Sequence, residues 1–446
     1  MKTALLVTIL LATCGCEPRS QAVGIPVYSS EVVLDVRRGA VALTKIDRVS
    51  TGRANEVRDD VARLFARTTL LDAPIFPVSA VSGEGIEALK AHLISKAHTC
   101  PRRKPSGNFR LAVDRCFTID GAGSIVTGTA FSGSLAVGET VRMLGAGFTL
   151  RARMIHAQNA PSQTGGAGQR CAINLAGAEL RPERIERGDW VVGGDVPEPI
   201  QKFDARIRLL QSELRPLAHW TPVHVHLGAA DVTGRVAILE GPSIAPGASA
   251  LVQIALDRHI GTLFGDGLIL RDQSAQRTIG GGRVIDIFPP VRGRAKPERL
   301  AYLNAMENDD ATAAFSALVA SAARGLNLSR FAQNRNLTEE EALSLYTAAS
   351  IRTVEVPSGM LGFSPVHWKR LKTAIVESLA VFHRRTPNVI PNEERVFLEA
   401  GIRATKELRE AVVGELVAEG VLVREPSGMR LSGHVTQLSP AAHPQP

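Results

Sequence analysis

The sequence predicts a multidomain chain: an α/β segment, then two small β-barrels, then two tandem helical modules that each close on a hairpin. Three observations point there. Residues 34–98 alternate apolar runs of strand and helix period. From residue 109 to 290 short strands recur with glycine punctuation. From Pro297 the pattern turns helical, and Pro-Ser-Gly-Met appears twice, at Pro357–Met360 and Pro426–Met429. A chain of 446 residues holds several sizeable cores, and 44% apolar with 22% charged residues is a globular composition, which excludes a disordered chain.

The chain opens on MKTALLVTILLATCGC, a lysine followed by an apolar run from Ala4 to Ala12. This has the outline of a lipoprotein-type signal ending at Cys14 or Cys16, and it is too short for a spanning helix. The alternative is a buried strand over Ala4–Leu11, or a segment displaced by an atypical start or a frame change; residues 1–33 are therefore set apart. The five cysteines are scattered, without CxxC spacing, which fits a reducing compartment and favours that alternative.

In residues 34–98, AVALTKID is a buried strand, and GRANEVRDDVARLFART is a helix with Val57, Val61, Leu64 and Phe65 on one face. PIFPVSA is a second strand and GIEALKAHLISKA a second helix. This is the closing part of a doubly wound parallel sheet. A polar linker, TCPRRKPSGN, leads to the first barrel, 109–196, whose opening strand alternates Phe109, Leu111 and Val113 with Arg110, Ala112 and Asp114. The second barrel occupies 200–290, with Gly280–Gly282 expected as a turn between strands. Beyond it, Thr338 and Glu341 form a capping box that opens a helix. Helix, turn, helix and hairpin give the outline of a winged helix over 297–363, and the repeat gives a second over 364–434, before a tail at 435–446.

The first strand of the α/β segment ends in Thr44-Lys45-Ile46-Asp47. A carboxylate at that position can accept from both N1–H and the 2-amino group of guanine, while the lysine stem packs over the base. The second strand ends in SAVSGEG, where a tight turn from Ser79 can offer the Ala80 N–H to guanine O6. Thr44, Lys45, Asp47, Ser79 and Ala80 are the candidate guanine-binding residues. The net charge of +8 leans towards anionic partners such as nucleic acid.

With two barrels behind such a reader, the chain resembles the translational GTPases, and most closely the bacterial selenocysteine-specific elongation factors (SelB), from about Leu34 to Gly433. LDVRRGAVALTKIDRV, FRLAVDRCFTIDGAGSIVTGTAFSG, MIHAQNAP, AGQRCAINLAG and ERGDWVV carry the resemblance; Thr44 stands where other GTPases have asparagine. It implies a partial α/β P-loop-type G domain at 34–98, GTP or GDP with Mg2+ as ligands, and GTP-dependent delivery of selenocysteinyl-tRNA to the ribosome at UGA codons in the cytoplasm. By position it places a selenocysteine pocket on Asp114, Arg115 and Arg170, where two guanidiniums would favour a selenolate over a neutral serine hydroxyl. C-terminal winged helices of the family bind an mRNA hairpin.

Two departures modify that expectation. No GxxxxGK[ST] loop and no Gly-Lys dipeptide occurs in the sequence, and the two DxxG matches, Asp120–Gly123 and Asp231–Gly234, fall in barrel sequence. Without a phosphate cradle, this polypeptide alone is expected to hydrolyse little or no GTP. The family carries four winged helices where two are read here, so tRNA affinity through the basic barrels is expected rather than specific hairpin binding. The chain then reads as a truncated form of the factor, whose rivals are a GTP-independent tRNA- or ribosome-binding module, an exported lipoprotein-like product and the remnant of a disrupted gene. His219, His224 and His226 have ligand-like spacing, but with no carboxylate close by in sequence they read as a strand face. No residue is a candidate catalytic group or metal ligand.

Overall fold

A computed structural model describes residues 8–13, 39–66, 70–99, 106–121 and 123–435. The described residues up to Asp309, with Asn336–Thr338, form one compact unit, and the remainder from Asp310 onward form a second.

In the first unit, β1 (Thr8–Thr13), β2 (Gly39–Thr44) and β3 (Ile75–Val78) make a parallel three-stranded sheet in that order. The central β2 buries its whole run Ala40–Leu43, as a strand paired on both edges and covered on its faces does. Of the strand read over Ala4–Leu11, the described part pairs from Thr8; Cys14 and Cys16 lie outside the described residues. Helix α1 (Thr51–Phe65) is capped by Ser50, whose hydroxyl accepts from the Arg53 N–H at 3.3 Å, and packs Val57, Val61 and Phe65 with Val41 and Leu70. The Leu64 side chain lies outside the described residues. Helix α2 (Ile86–Thr99) buries none of its residues.

The first barrel comprises β4 (Arg110–Ile119), β5 (Gly123–Ser132), β6 (Ser134–Ala136), β7 (Thr140–Leu144), β8 (Phe148–Ala157), β9 (Ala160–Ser162), β10 (Thr164–Gly166), β11 (Arg170–Ala176) and β12 (Trp190–Val192). The order β11-β5-β4-β12-β7-β8 closes on itself through the β11–β8 pairing. The second comprises β13 (Ile200–Leu209), β14 (Leu217–Ala218), β15 (Thr221–Leu227), β16 (Ala230–Ile238), β17 (Ser243–Ile244), β18 (Ser249–Ile260), β19 (Gly267–Arg271) and β20 (Thr278–Asp286), closed in the order β13-β18-β16-β15-β19-β20.

Two expectations change here. Both faces of the start of β4 are buried: Leu111 and Val113 fill the first barrel, whereas Arg110 and Ala112 face the second. Arg110 forks onto Asp266, Nη1 to Oδ1 at 3.2 Å and Nη2 to Oδ2 at 2.6 Å, with its guanidinium 4.3 Å from the centroid of the Trp190 ring. Gly280–Gly282 lies inside β20 and is no turn. A Cβ at Gly280 or Gly282 would stand 2.5 or 1.9 Å from the carbonyl oxygens of Arg208 or Arg206 on β13, so these glycines admit a close strand.

Helix α3 (Pro297–Met306) is fixed to the second barrel by charge. Arg299 donates to the buried carboxylates of Asp204 and Asp286, the latter at 2.6 Å, and Gln253 adds a bond to Asp204 at 3.1 Å. Beside it Arg206 of β13 reaches Glu307, Asn304 and Glu240.

The second unit contains α4 (Ala311–Ser321), β21 (Leu326–Asn327), α5 (Leu328–Asn334), α6 (Glu339–Ala348) and the hairpin of β22 (Arg352–Val356) with β23 (Gly359–Phe363). It continues with α7 (Pro365–Arg385), α8 (Glu393–Glu399), α9 (Lys406–Ala418) and a second hairpin, β24 (Leu422–Glu425) with β25 (Gly428–Leu431). The repeated Pro-Ser-Gly-Met places Pro-Ser at each hairpin tip, and its glycine lets the return strand cross the start of a helix. The Met360 N–H donates to Ser329 Oγ at 3.1 Å and the Met429 N–H to the Pro391 carbonyl at 3.0 Å. A Cβ on Gly359 or Gly428 would come within 2.7 Å of that hydroxyl or 2.0 Å of that carbonyl.

The second hairpin also meets a stacked pair of imidazoles, His383 and His434, with ring centroids 3.8 Å apart. Burial first, then the His434 and Arg430 charges, push the His383 pKa below the usual histidine value. The unfolded chain therefore binds a proton that the folded chain resists, and stability falls as pH drops below about 6.5. The melting temperature of the second unit is expected to fall on acidification from pH 7.5 to 5.5, and His383→Phe is expected to flatten that slope. An unchanged slope in differential scanning calorimetry would assign the acid sensitivity to other groups.

Candidate functional site

Thr44 and Val78 are register partners at the ends of two parallel strands, which brings both predicted guanine motifs to one edge. Lys45 adopts a left-handed conformation, φ 64°, and turns the chain into a short 3-10 turn, Ile46–Arg48, that carries Asp47 outward with its carboxylate exposed. Ser79 is fully buried, and it shapes the second motif. Its hydroxyl accepts from the Val81 and Ser82 N–H groups at 3.2 and 3.1 Å, and its own N–H donates to the Glu84 carbonyl at 2.9 Å. Gly85, at φ 72°, passes so near Pro77 that a Cβ would lie 1.9 Å from the carbonyl oxygen. Ala80 is left exposed at the tip, with its N–H in no hydrogen bond among the described residues. An exposed carboxylate, an open N–H and a lysine stem are a donor and acceptor set that fits a guanine base. For the phosphates the described residues offer no comparable cradle: the Ser50 hydroxyl at the start of α1 is already taken by its cap.

On the first barrel, a register shift between Val113 and Arg115 sets Asp114 out of the regular ladder. Its Oδ1 accepts from Thr127 Oγ1 at 2.6 Å, and both its oxygens accept from the fork of Arg170, one at 3.1 Å. The pair is partly open, with side-chain exposures of 53% for Arg170 and 26% for Asp114. Burial raises the Asp114 pKa, but the hydrogen bonds from Arg170 and Thr127 and the charges of Arg170 and Arg115 outweigh it, so the carboxyl titrates below its usual range. The hydrogen bond that Arg170 donates to Asp114 in turn raises the pKa of Arg170. Arg115 is exposed and bonds to no carboxylate among the described residues. The three predicted residues therefore come together unequally: an incoming anion meets Arg115 directly and must share Arg170 with Asp114.

Sequence reasoning missed what borders this cluster. Phe117, Ile125, Asn174 and Met154 are cross-strand partners in one row over β4, β5, β11 and β8, next to the row Arg115, Thr127, Ala172 and His156. Phe117 and Met154 are exposed. The signal was present, since Phe117 and Ile119 share the outward alternation of Arg115. A charged cluster with the exposed side chains of Phe117 and Met154 on the same barrel suits a ligand with an anionic head and a flat or apolar neighbour.

The histidine reading also needs correction. Asp231 lies opposite His226 across the β15–β16 hairpin, 3.1 Å from His224 Nδ1 and 3.8 Å from His226 Nε2, so a carboxylate is near after all. Among the described residues no group of three or more His, Cys, Asp or Glu is placed to hold a metal ion. No helix among them is long and apolar enough to cross a membrane.

Residues 204–291 match the family model described as the selenocysteine-specific elongation factor β-barrel domain. The chain is 37% identical over 353 residues to the selenocysteine-specific elongation factor of Escherichia coli, which covers 77% of this chain and 53% of that protein. It is 32% identical over 422 residues to that of Desulfomicrobium baculatum, covering 91% of this chain and 64% of the relative. A crystal structure of a bacterial selenocysteine-specific elongation factor superposes on 90% of this chain and 62% of its own, with a TM-score of 0.67 at 19% identity. The chain thus spans about half to two thirds of the length of the relatives it matches. By sequence, the chain is homologous to these bacterial selenocysteine-specific elongation factors over the part of their length that it spans, and its fold is similar to that of a solved one.

Proposed function

We propose that the chain works as a selenocysteine-specific elongation factor, carrying selenocysteinyl-tRNA to the ribosome at UGA codons in the cytoplasm, with guanine nucleotide as its control ligand. The observation that supports this best is the cluster of Asp114, Arg115 and Arg170 on the first barrel, which also exposes Phe117 and Met154. Two guanidiniums around one low-pKa carboxylate leave a net positive site, and a selenolate is the side-chain anion that would distinguish this tRNA from its seryl precursor. Thr44, Lys45, Asp47, Ser79 and Ala80 are assigned the guanine base. When bound, GTP with Mg2+ would supply the phosphate that sets the active state; hydrolysis is assigned to no residue of the 446, and an mRNA hairpin is assigned no site.

The test is equilibrium binding of selenocysteinyl-tRNA against seryl-tRNA on the same tRNA body. A preference for the selenocysteinyl form is expected, and equal affinities would remove the reading. For the base, Asp47→Asn replaces an acceptor by an amide that can donate, so binding is expected to shift from labelled GDP to the xanthine nucleotide, whose 2-oxo group accepts. Guanine preference that survives Asp47→Asn would place the reader elsewhere.

A further inference from the structure

We infer that the groove between α7 and α9 of the second unit is a docking site for an extended peptide segment of a partner protein, one that carries an acidic, an apolar and a basic residue at alternate positions. The groove encloses about 550 Å³, a size typical of clefts that hold ligands. Its floor is apolar: Trp368 and Leu416 are buried beneath it, and Val376 and Val421 are half-buried along it. Lys369 and Glu377 of α7 also line it, and both are exposed.

One wall is tied together by a closed set of charges. The Trp368 indole N–H donates to Glu415 Oε2 at 2.6 Å, and Arg352 Nε lies 2.9 Å from Glu415 Oε1. Lys372 Nζ reaches Glu415 at 3.2 Å and Glu419 as well. Arg352 and Lys372 are thus already compensated by carboxylates. Lys369 and Glu377 are not, since among the described residues neither forms an ion pair.

The two uncompensated charges indicate the occupant. They are of opposite sign, which disfavours RNA, whose phosphates Glu377 and Glu419 would repel, and disfavours a simple amphipathic anion for the same reason. They lie on one helix, Lys369 eight residues before Glu377, which is about 12 Å at 1.5 Å per residue. A free amino acid, with its two charges on one carbon, cannot span that. In an extended peptide the first and fifth residues stand about 13 Å apart at about 3.3 Å per residue, and the first, third and fifth side chains share a face. An acid, an apolar side chain and a base at those places would meet Lys369, the floor over Trp368 and Leu416, and Glu377 together.

The site is independent of the nucleotide and tRNA readings, so its test leaves them standing. Fluorescence anisotropy of labelled, end-capped pentapeptides on the full chain measures it. Asp-Ala-Phe-Ala-Lys is expected to bind, Asp-Ala-Phe-Ala-Asp and Lys-Ala-Phe-Ala-Lys roughly three- to tenfold more weakly, and Asp-Ala-Ala-Ala-Lys roughly tenfold or more weakly. Lys369→Glu is expected to turn the preference to the doubly basic peptide and Glu377→Lys to the doubly acidic one; both are exposed positions, so the fold should survive. Val376→Trp fills the groove and is expected to abolish binding of every peptide, with the melting temperature as the check on folding. If none of these peptides binds at about millimolar concentration, or if the two charge reversals leave the order of peptides unchanged, the inference is overturned. A loss of tRNA affinity in both Lys369→Glu and Val376→Trp would assign the groove to RNA. Self-association in gel filtration that Val376→Trp abolishes would assign it to a second copy of the chain. Either assignment would also overturn the inference.

Discussion

Arg170→Met is expected to lower the preference for selenocysteinyl- over seryl-tRNA by roughly ten- to a hundredfold, with little change in affinity for the tRNA body. A hydrogen bond to a charged group is worth about 1.5–3 kcal/mol, and each 1.4 kcal/mol is a factor of ten. Arg170 is half exposed, so the substitution leaves no uncompensated charge in a core, and folding should survive it. Arg115→Met is expected to do at least as much, since Arg115 has no competing carboxylate bonded to it. Asp114→Asn keeps both cations, so the direction of the preference should persist. The pH dependence follows from the lowered Asp114 pKa: the protein side of the site keeps its charge as pH falls into the mildly acidic range, and discrimination should fade only as the selenol takes up its proton. Affinity ratios measured at several pH values decide this; a ratio unmoved by Arg170→Met and Arg115→Met would remove the site from selenocysteine recognition.

The second large effect is on stability. Arg299→Ala strips the shared partner from Asp204 and Asp286, which are 0% and 1% exposed. Removing one member of a buried ion pair costs about 3–5 kcal/mol, a large part of the 5–15 kcal/mol that holds a typical domain. The pH dependence identifies the cause. Burial already pushes the Asp204 pKa up despite the opposing pull of Arg299, so the folded chain holds that proton more readily than the unfolded chain does, and stability is lost as pH rises through the folded value. Without Arg299 that preference strengthens. Urea unfolding of Arg299→Ala is therefore expected to show its greatest deficit near pH 8 and partial recovery near pH 5. A deficit that ignores pH would mean that lost packing, and not charge, is responsible.

How much of this was legible in the sequence depended on the range of the interaction. The two strand ends that carry Thr44–Asp47 and Ser79–Ala80 could be placed at one edge because each follows an apolar strand of the same parallel sheet, and the two barrels could be read from period-two alternation. Arg110 looked like the polar face of β4, because nothing local announces a partner 156 residues away at Asp266. Gly280–Gly282 looked like a turn, because three glycines signal backbone freedom without saying whether a bend or a close neighbour uses it. Asp114 and Arg170 were assigned through family resemblance alone; their bond spans 56 residues and depends on a register shift that composition does not encode. Asp231 lies close along the chain, five residues after His226, and was overlooked because strand pairing across the tight hairpin, which spacing alone does not reveal, sets the two opposite each other.

The lock of Arg110 on Asp266 and Trp190 has a metrical consequence. Trp190, Ala112 and Leu144 of the first barrel belong to the same apolar cluster as Val225, Leu227 and Ile260 of the second. Two bodies that share a core and a buried ion pair cannot flex at their seam without exposing both. A ligand long enough to touch the two barrels is therefore gauged by a fixed span, as by a caliper, and one of the wrong length or curvature must deform itself, since the protein will not.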